Sequence, residues 1–252
     1  MTERKVFIVT GSSSGVGAAT ALELSRLGSA VAINYSKSAS EAEDAAGACL
    51  RAGGDALVVR ADVSQDADCR RLAAAAVDRW GRLDGLVNNA ATTKFASMRD
   101  LDALDAGDFQ RIYAVNLVGA YQMIRACQAA LKEARGSVVN VSSISGTMGL
   151  GSSVAYACSK GALNTLTIAM ARALGPEIRV NAVLPGFTET RWLKQGLGSS
   201  YDRARDHYRA HSALGATLQP EEVASAIVAL LQSRKITGQL LTIDAGRGIG
   251  AF

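Results

Sequence analysis

Val6-Phe7-Ile8-Val9-Thr10-Gly11-Ser12-Ser13-Ser14-Gly15-Val16-Gly17 joins a short apolar run to a glycine-rich turn, and the turn to a helical pattern over 15–27. The apolar run is β-branched and does not alternate with polar residues, which fits a strand buried on both faces. Three glycines let the backbone turn tightly and come close to a phosphate group. A helix starting at Gly15 brings free N–H groups and a positive dipole end to the same place. The spacing is GxxxGxG rather than the commoner GxGxxG. Gly11, Ser13, Ser14, Gly15, Val16 and Gly17 are therefore the candidate pyrophosphate cradle.

Working outward, six more apolar runs read as strands: 30–35, 56–60, 83–88, 137–142, 178–184 and 239–243. Helical patterns lie at 39–52, 67–80, 108–133, 154–174 and 220–232. Repeated β-then-α units imply a parallel sheet of about seven strands with helices on both faces. No Pro/Gly/Ser-rich linker divides the 252 residues, so a single α/β domain over 1–252 is expected. Residues 187–219 interrupt the rhythm with Trp192, Tyr201, His207, Tyr208 and several Arg and Gly. An insertion after the C-terminal end of a parallel strand sits where a substrate lid belongs. Packing as a surface excursion on its own small core is the plainer alternative.

Composition narrows the function. Hydrophobic residues make up 48% and charged residues 20%, which excludes intrinsic disorder. The net charge of +4 is spread along the chain, and no run of five Lys/Arg exists, so nucleic-acid binding is not expected. Cys49, Cys69, Cys127 and Cys158 form no CxxC pair and read as reduced, mostly buried residues, with Cys158 packed inside. No signal peptide or apolar run of transmembrane length is evident, so a soluble cytoplasmic protein without membrane association is expected. His207 and His211 offer two imidazoles where a zinc site takes at least three ligands, so no metal is expected.

The end of the second strand, Asn34-Tyr35-Ser36-Lys37, carries no carboxylate before Glu41. A free ribose 2′-hydroxyl is usually met there by Asp or Glu. Tyr35, Ser36 and Lys37, with Ser38 beyond, suit a 2′-phosphate instead. Asp62-Val63 ends the third strand, where a carboxylate could accept from an adenine amino group. Tyr156 and Lys160 lie four apart on one helical face. A cation beside a phenol lowers its pKa and makes it a proton-transfer device. Ser143, at the end of the buried 137–142 run, could hold a carbonyl oxygen as charge develops. Asn116 is a poor helix former amid apolar neighbours, which invites either a role or a satisfied buried amide.

These segments together resemble the short-chain dehydrogenase/reductase family over nearly the whole chain. The matching strings are TGSSSGVG (10–17), DV (62–63), NNAA (88–91), VN (115–116), VSSISG (141–146), YACSK (156–160), RVNAVLPG (179–186) and TGQLLTIDAG (237–246). The resemblance implies a doubly wound, Rossmann-type domain and a catalytic tetrad of Asn116, Ser143, Tyr156 and Lys160. Tyr156 would be proton donor and acceptor, and Lys160 would lower its pKa and bind the nicotinamide ribose. Ser143 would hold the substrate oxygen. Asn116 would anchor a water relay through Lys160. Asn89 and Ala90 would lie along the cofactor, and Pro185, Gly186, Thr188 and Thr190 would line its nicotinamide side. GTMG (146–149) and PGFTET (185–190) look most like the 3-oxoacyl-acyl-carrier-protein reductases.

The expectation is NADP(H)-dependent hydride transfer with a small carbonyl or alcohol, with a carrier-bound acyl thioester among the candidate substrates. An NAD(H)-linked alcohol or sugar dehydrogenase and a non-catalytic NADP(H)-binding protein are the alternatives. Ala91 and Ala245 stand where the family has Gly. Helices 108–133 and 154–174 are apolar on more than one face, with Ile112, Val115, Leu117, Val118 and Ile124 on the first and Leu163, Leu166, Ile168 and Met170 on the second. A helix buried twice implies a partner subunit, and the resemblance implies a homotetramer, or a dimer at least, paired through these helices.

Overall fold

A computed structural model describes residues 4–249. Its strands are β1 (Val6–Val9), β2 (Ala30–Tyr35), β3 (Asp55–Arg60), β4 (Gly85–Asn88), β5 (Ser137–Val141), β6 (Arg179–Pro185) and β7 (Leu240–Ile243). They form one parallel sheet in the order β3-β2-β1-β4-β5-β6-β7. The strand order reverses between β1 and β4, which opens a crevice beyond their C-terminal ends. The helices are α1 (Gly15–Arg26), α2 (Ala39–Arg51), α3 (Asp66–Trp80), α4 (Ala106–Tyr113), α5 (Ala120–Glu133), α6 (Ser145–Met148), α7 (Val154–Leu174), α8 (Arg191–Leu197), α9 (Tyr201–Ala210) and α10 (Pro220–Gln232).

Along β1, Val6 and Ile8 join an apolar cluster with Leu72 of α3 and Met123 and Leu131 of α5. Phe7 and Val9 join the opposite cluster, with Leu24 of α1 and Val223 and Ile227 of α10. Both faces of the central strands are thus covered, which is why their sequences show no alternation. No helix among the described residues is long and apolar enough to cross a membrane.

The helix expected over 108–133 is not uniform. α4 and α5 are joined by a π-helical turn at Ala114–Gly119, with Asn116 buried in its middle. The wider turn accommodates a side chain that bonds across to its neighbours. Nor do the apolar residues on these helices share one fate: Ile112, Ile124 and Leu163 are buried, while Val118 and Ile168 face outward. Cys49, Cys69 and Cys127 are buried, but Cys158 is exposed, contrary to the expected packing role. It lies two residues from Tyr156 and from Lys160, so the helical rotation carries it off their face.

Ala245 follows β7 with φ +53°, a conformation that favours glycine. Its methyl is buried there, so the strain has no outlet. Ala245→Gly is expected to stabilise the protein by up to about 1 kcal/mol, read as a raised melting temperature. An unchanged or lowered value would show that the backbone accommodates Ala without cost.

Candidate active site

The glycine-rich turn is built by its neighbours. Thr10 Oγ1 accepts from the backbone N–H groups of Asn89 (2.9 Å) and Ala90 (3.0 Å), and Asn89 Nδ2 donates to the carbonyls of Thr10 and Gly11 (2.9 and 3.0 Å). Asn34 Oδ1 accepts from Gly11 N (3.0 Å), and its amide donates to Ala61 O (3.0 Å). Asn89 therefore braces the turn. Asn34, unassigned from sequence, ties the ends of three strands to it, and its signal was a lone amide inside the apolar run AVAINY. Gly11 has φ +61°, and a Cβ there would stand 2.9 Å from Ala90 Cα. Gly11→Ala is expected to weaken nucleotide binding by about tenfold or more, because strain and clash coincide at one backbone position. Calorimetric titration with NADPH checks this, and an unchanged Kd would contradict it.

The turn opens into a cleft of about 1260 Å³ lined by Gly11, Ser14, Gly15, Val16, Asn34, Ser36, Lys37, Asp62, Val63 and Ala90, and further on by Ser143, Tyr156, Lys160, Pro185, Gly186, Thr188 and Thr190. Three positions expected to bind the cofactor are not on its wall. Tyr35 packs against the apolar cluster beneath α2, because strand alternation turns it away and turns Asn34 in. Ser13 faces a shallow depression with Glu41, Asp44 and Arg191. Gly17 sits where a Cβ would lie 2.6 Å from Asn89 Nδ2, so its part is close packing.

The turn fits a dinucleotide pyrophosphate. Ser14, at the N-cap of α1, makes no side-chain cap bond, and the first turn holds no acidic residue. Its N–H groups are left for an anion. At the lip, Lys37 is exposed, and Glu41 is occupied by Arg191 at 2.6 Å. Asp62 Oδ1 accepts from the backbone N and hydroxyl of Ser64 (3.0 and 2.8 Å).

At the other end, β5 delivers Ser143 and α7 delivers Tyr156 and Lys160. Ser153 caps α7 by accepting from Tyr156 N, which fixes where that residue enters the helix. Burial pushes the Tyr156 phenol up to about 12, with a hydrogen bond between it and Ser143 opposing the shift. Burial likewise pulls Lys160 down to about 7. Lys160 Nζ donates to Val141 O at 2.8 Å and stands 5.6 Å from the Tyr156 ring centroid. Desolvation is thus the dominant influence on the phenol. Ser143 Oγ also donates to Ser145 Oγ (3.0 Å) and accepts from Ser145 N (3.1 Å). Asn116 spends its amide elsewhere: Oδ1 accepts from Thr92 N (2.8 Å), and Nδ2 donates to Thr92 O and Ser159 Oγ (3.0 Å each). It clamps the loop after β4 to the helix that carries Tyr156.

The 187–219 excursion folds back on itself. Thr188 and Leu218 form a parallel bridge, and Leu218 N donates to Phe187 O at 2.9 Å. The Phe187 ring packs against Tyr201 and Tyr208 at 5.6 and 5.7 Å, and Tyr208 donates its hydroxyl to Asp244 O. Its α8 also puts Arg191, Trp192, Leu193 and Leu197 on the cleft wall. His207 and His211 stack at 4.1 Å, and no cluster of three or more His, Cys, Asp or Glu suited to a metal occurs among the described residues.

A family model described as enoyl-(acyl carrier protein) reductase matches residues 11–247. The chain is 41% identical over 245 residues to a Streptomyces violaceoruber protein named "Granaticin polyketide synthase putative ketoacyl reductase 2", covering 97% of this chain and 96% of that one. It is 34% identical over 249 residues to an L-rhamnose 1-dehydrogenase (NAD(P)(+)) of Sphingomonas sp., covering 97% and 96%. A solved short-chain dehydrogenase/reductase from Serratia marcescens superposes with a TM-score of 0.88 at 33% identity, covering 97% and 98%.

Proposed function

The chain belongs to the short-chain dehydrogenase/reductase family of oxidoreductases, whose members bind NAD or NADP, and on that premise we propose that it is an NADP(H)-dependent carbonyl reductase/alcohol dehydrogenase. The observation that carries this reading is a continuous cleft, with the α1 N-terminus at one end and Ser143, Tyr156 and Lys160 together at the other. The nucleotide, when bound, supplies or accepts the hydride. Tyr156 gives its phenolic proton to the substrate oxygen in reduction and takes one in oxidation. Ser143 donates to that oxygen as negative charge develops. Lys160 keeps two donors beyond the one given to Val141, which suit ribose hydroxyls. Asn116 positions the helix and loop that carry the site. Ser36 and Lys37 favour the 2′-phosphate form.

A 3-oxoacyl thioester fits the reading, supported by the ketoacyl reductase name of one relative. The 187–219 segment acts as the substrate lid. Val118, Tyr121 and Ile168 are exposed on the outer face of α4–α5 and α7, which supports a homotetramer paired through these helices. Light scattering that finds only monomer at micromolar concentration would contradict it. The activity test is NADPH consumption with acyl-thioester, cyclic-ketone and sugar-lactone substrates, and failure with all three classes would overturn the proposed reduction.

The sign of the pH dependence follows from Tyr156. Reduction requires the protonated phenol, so Tyr156 itself is expected to cause a fall in rate only on the alkaline side. Oxidation requires the phenolate, so its rate is expected to climb with pH. Initial rates in both directions check this, and an oxidation rate that falls as pH rises would contradict the assignment.

A further inference from the structure

Resting on the proposed activity, we infer that Phe95 and Trp192 form an aromatic jaw that selects an aryl or fused-ring ketone, or its alcohol, over a polyhydroxylated sugar. The two rings come from separate segments, the loop after β4 and helix α8, and meet with centroids 5.4 Å apart and planes tilted by 55°. Trp192 also stands 6.4 Å from the Tyr156 ring. A carbonyl that reaches the Tyr156 hydroxyl therefore has its body against two tilted ring faces, and planar unsaturated rings pack on such faces in offset or edge-on geometry.

The jaw is held in place. Phe95 lies so close to α8 that a Cβ on Gly196 would stand 1.9 Å from its ring. Its loop is fixed on both sides of the ring: Lys94 pairs with Asp108 at 2.6 Å, and Ala96 N donates to Ser152 O at 2.8 Å. Trp192 stays 44% exposed, which is a large apolar area left for something to cover.

Several polar groups nearby are already engaged. Ser152 Oγ bonds Thr93 Oγ1 at 2.8 Å, Ser145 Oγ bonds Ser143, Arg111 pairs with Asp108, and the Tyr208 hydroxyl is given to Asp244 O. A sugar ring would bury several hydroxyls here with few partners, which costs affinity for each one unpaired. Leu150 and Leu193 continue the apolar wall.

The test compares 2-tetralone, acetoacetyl-N-acetylcysteamine and L-rhamnono-1,4-lactone in the full-length protein with NADPH. Phe95→Leu and Trp192→Leu are each expected to lower kcat/KM for 2-tetralone by about tenfold or more, mainly through KM, with a clearly smaller loss for the small thioester. Binding supplies a second readout. The chain has two tryptophans, and Trp80 lies apart from the cleft on α3, donating to Asp55. In Trp80→Phe, Trp192 is the only indole, and 2-tetralone added with NADP+ is expected to quench it, less so when Phe95→Leu is combined. Preference for the lactone, unchanged 2-tetralone kinetics in both Leu variants, or absence of quenching would each overturn the jaw. If no carbonyl is reduced, the proposed activity falls, and the quenching result still decides whether the jaw binds a fused-ring ketone.

Discussion

Tyr156→Phe is expected to lower turnover by about a thousandfold while NADPH binds with an unchanged Kd, since a positioned acid–base group contributes on that scale. The substitution removes one hydroxyl and leaves the ring that packs near Trp192 and Lys160. Loss confined to kcat, with cofactor affinity intact, separates the proton donor from a structural residue. Lys160→Ala should behave differently. It removes the donor to Val141 and the cation beside Tyr156, so cofactor affinity and turnover should fall together. Retention of more than a few percent of activity by Tyr156→Phe, measured with one good ketone, would remove this residue from the mechanism.

The second large effect concerns the cofactor. A charge-assisted contact to the 2′-phosphate contributes about 1.5–3 kcal/mol. That corresponds to a preference for NADPH over NADH of about ten- to a hundredfold. Ser36 and Lys37 line the cleft and Tyr35 does not, so the substitutions that test this are Ser36→Asp and Lys37→Glu. Either places negative charge where the phosphate would stand and should invert the ratio of kcat/KM values. Tyr35→Asp would instead put a carboxylate against the apolar cluster under α2, costing stability. An unmodified protein that uses NADH as well as NADPH would show that Lys37 stays in solvent and contributes no selectivity.

The strands were legible because parallel strands buried twice leave continuous apolar runs in the sequence, as in 30–35 and 137–142. The glycine-rich turn was legible because glycine positions are dictated by backbone conformation, which is a local property. Strand parity at the end of β2 was not: a one-residue step exchanges Asn34 for Tyr35, and both suit a polar turn. The environment of Tyr156 also escaped the local pattern. Its spacing from Lys160 gives proximity, but only the tertiary structure shows how strongly burial acts on the phenol. The same holds for Asn116, whose bonds to Thr92 and Ser159 depend on a π turn. Phe95 carried no signal at all, because a single aromatic residue in a loop between β4 and α4 acquires meaning only when Trp192 meets it.

The most direct test of the account is transfer of label from 4-deuterated NADPH, carrying deuterium on the transferring face, to a ketone in a single turnover, followed by mass spectrometry of the alcohol. The account predicts deuterium on the carbinol carbon with the unmodified protein and no labelled alcohol with Tyr156→Phe, although that variant still binds the nucleotide. Unlabelled alcohol from the unmodified protein, or labelled alcohol formed equally fast by Tyr156→Phe, would contradict it.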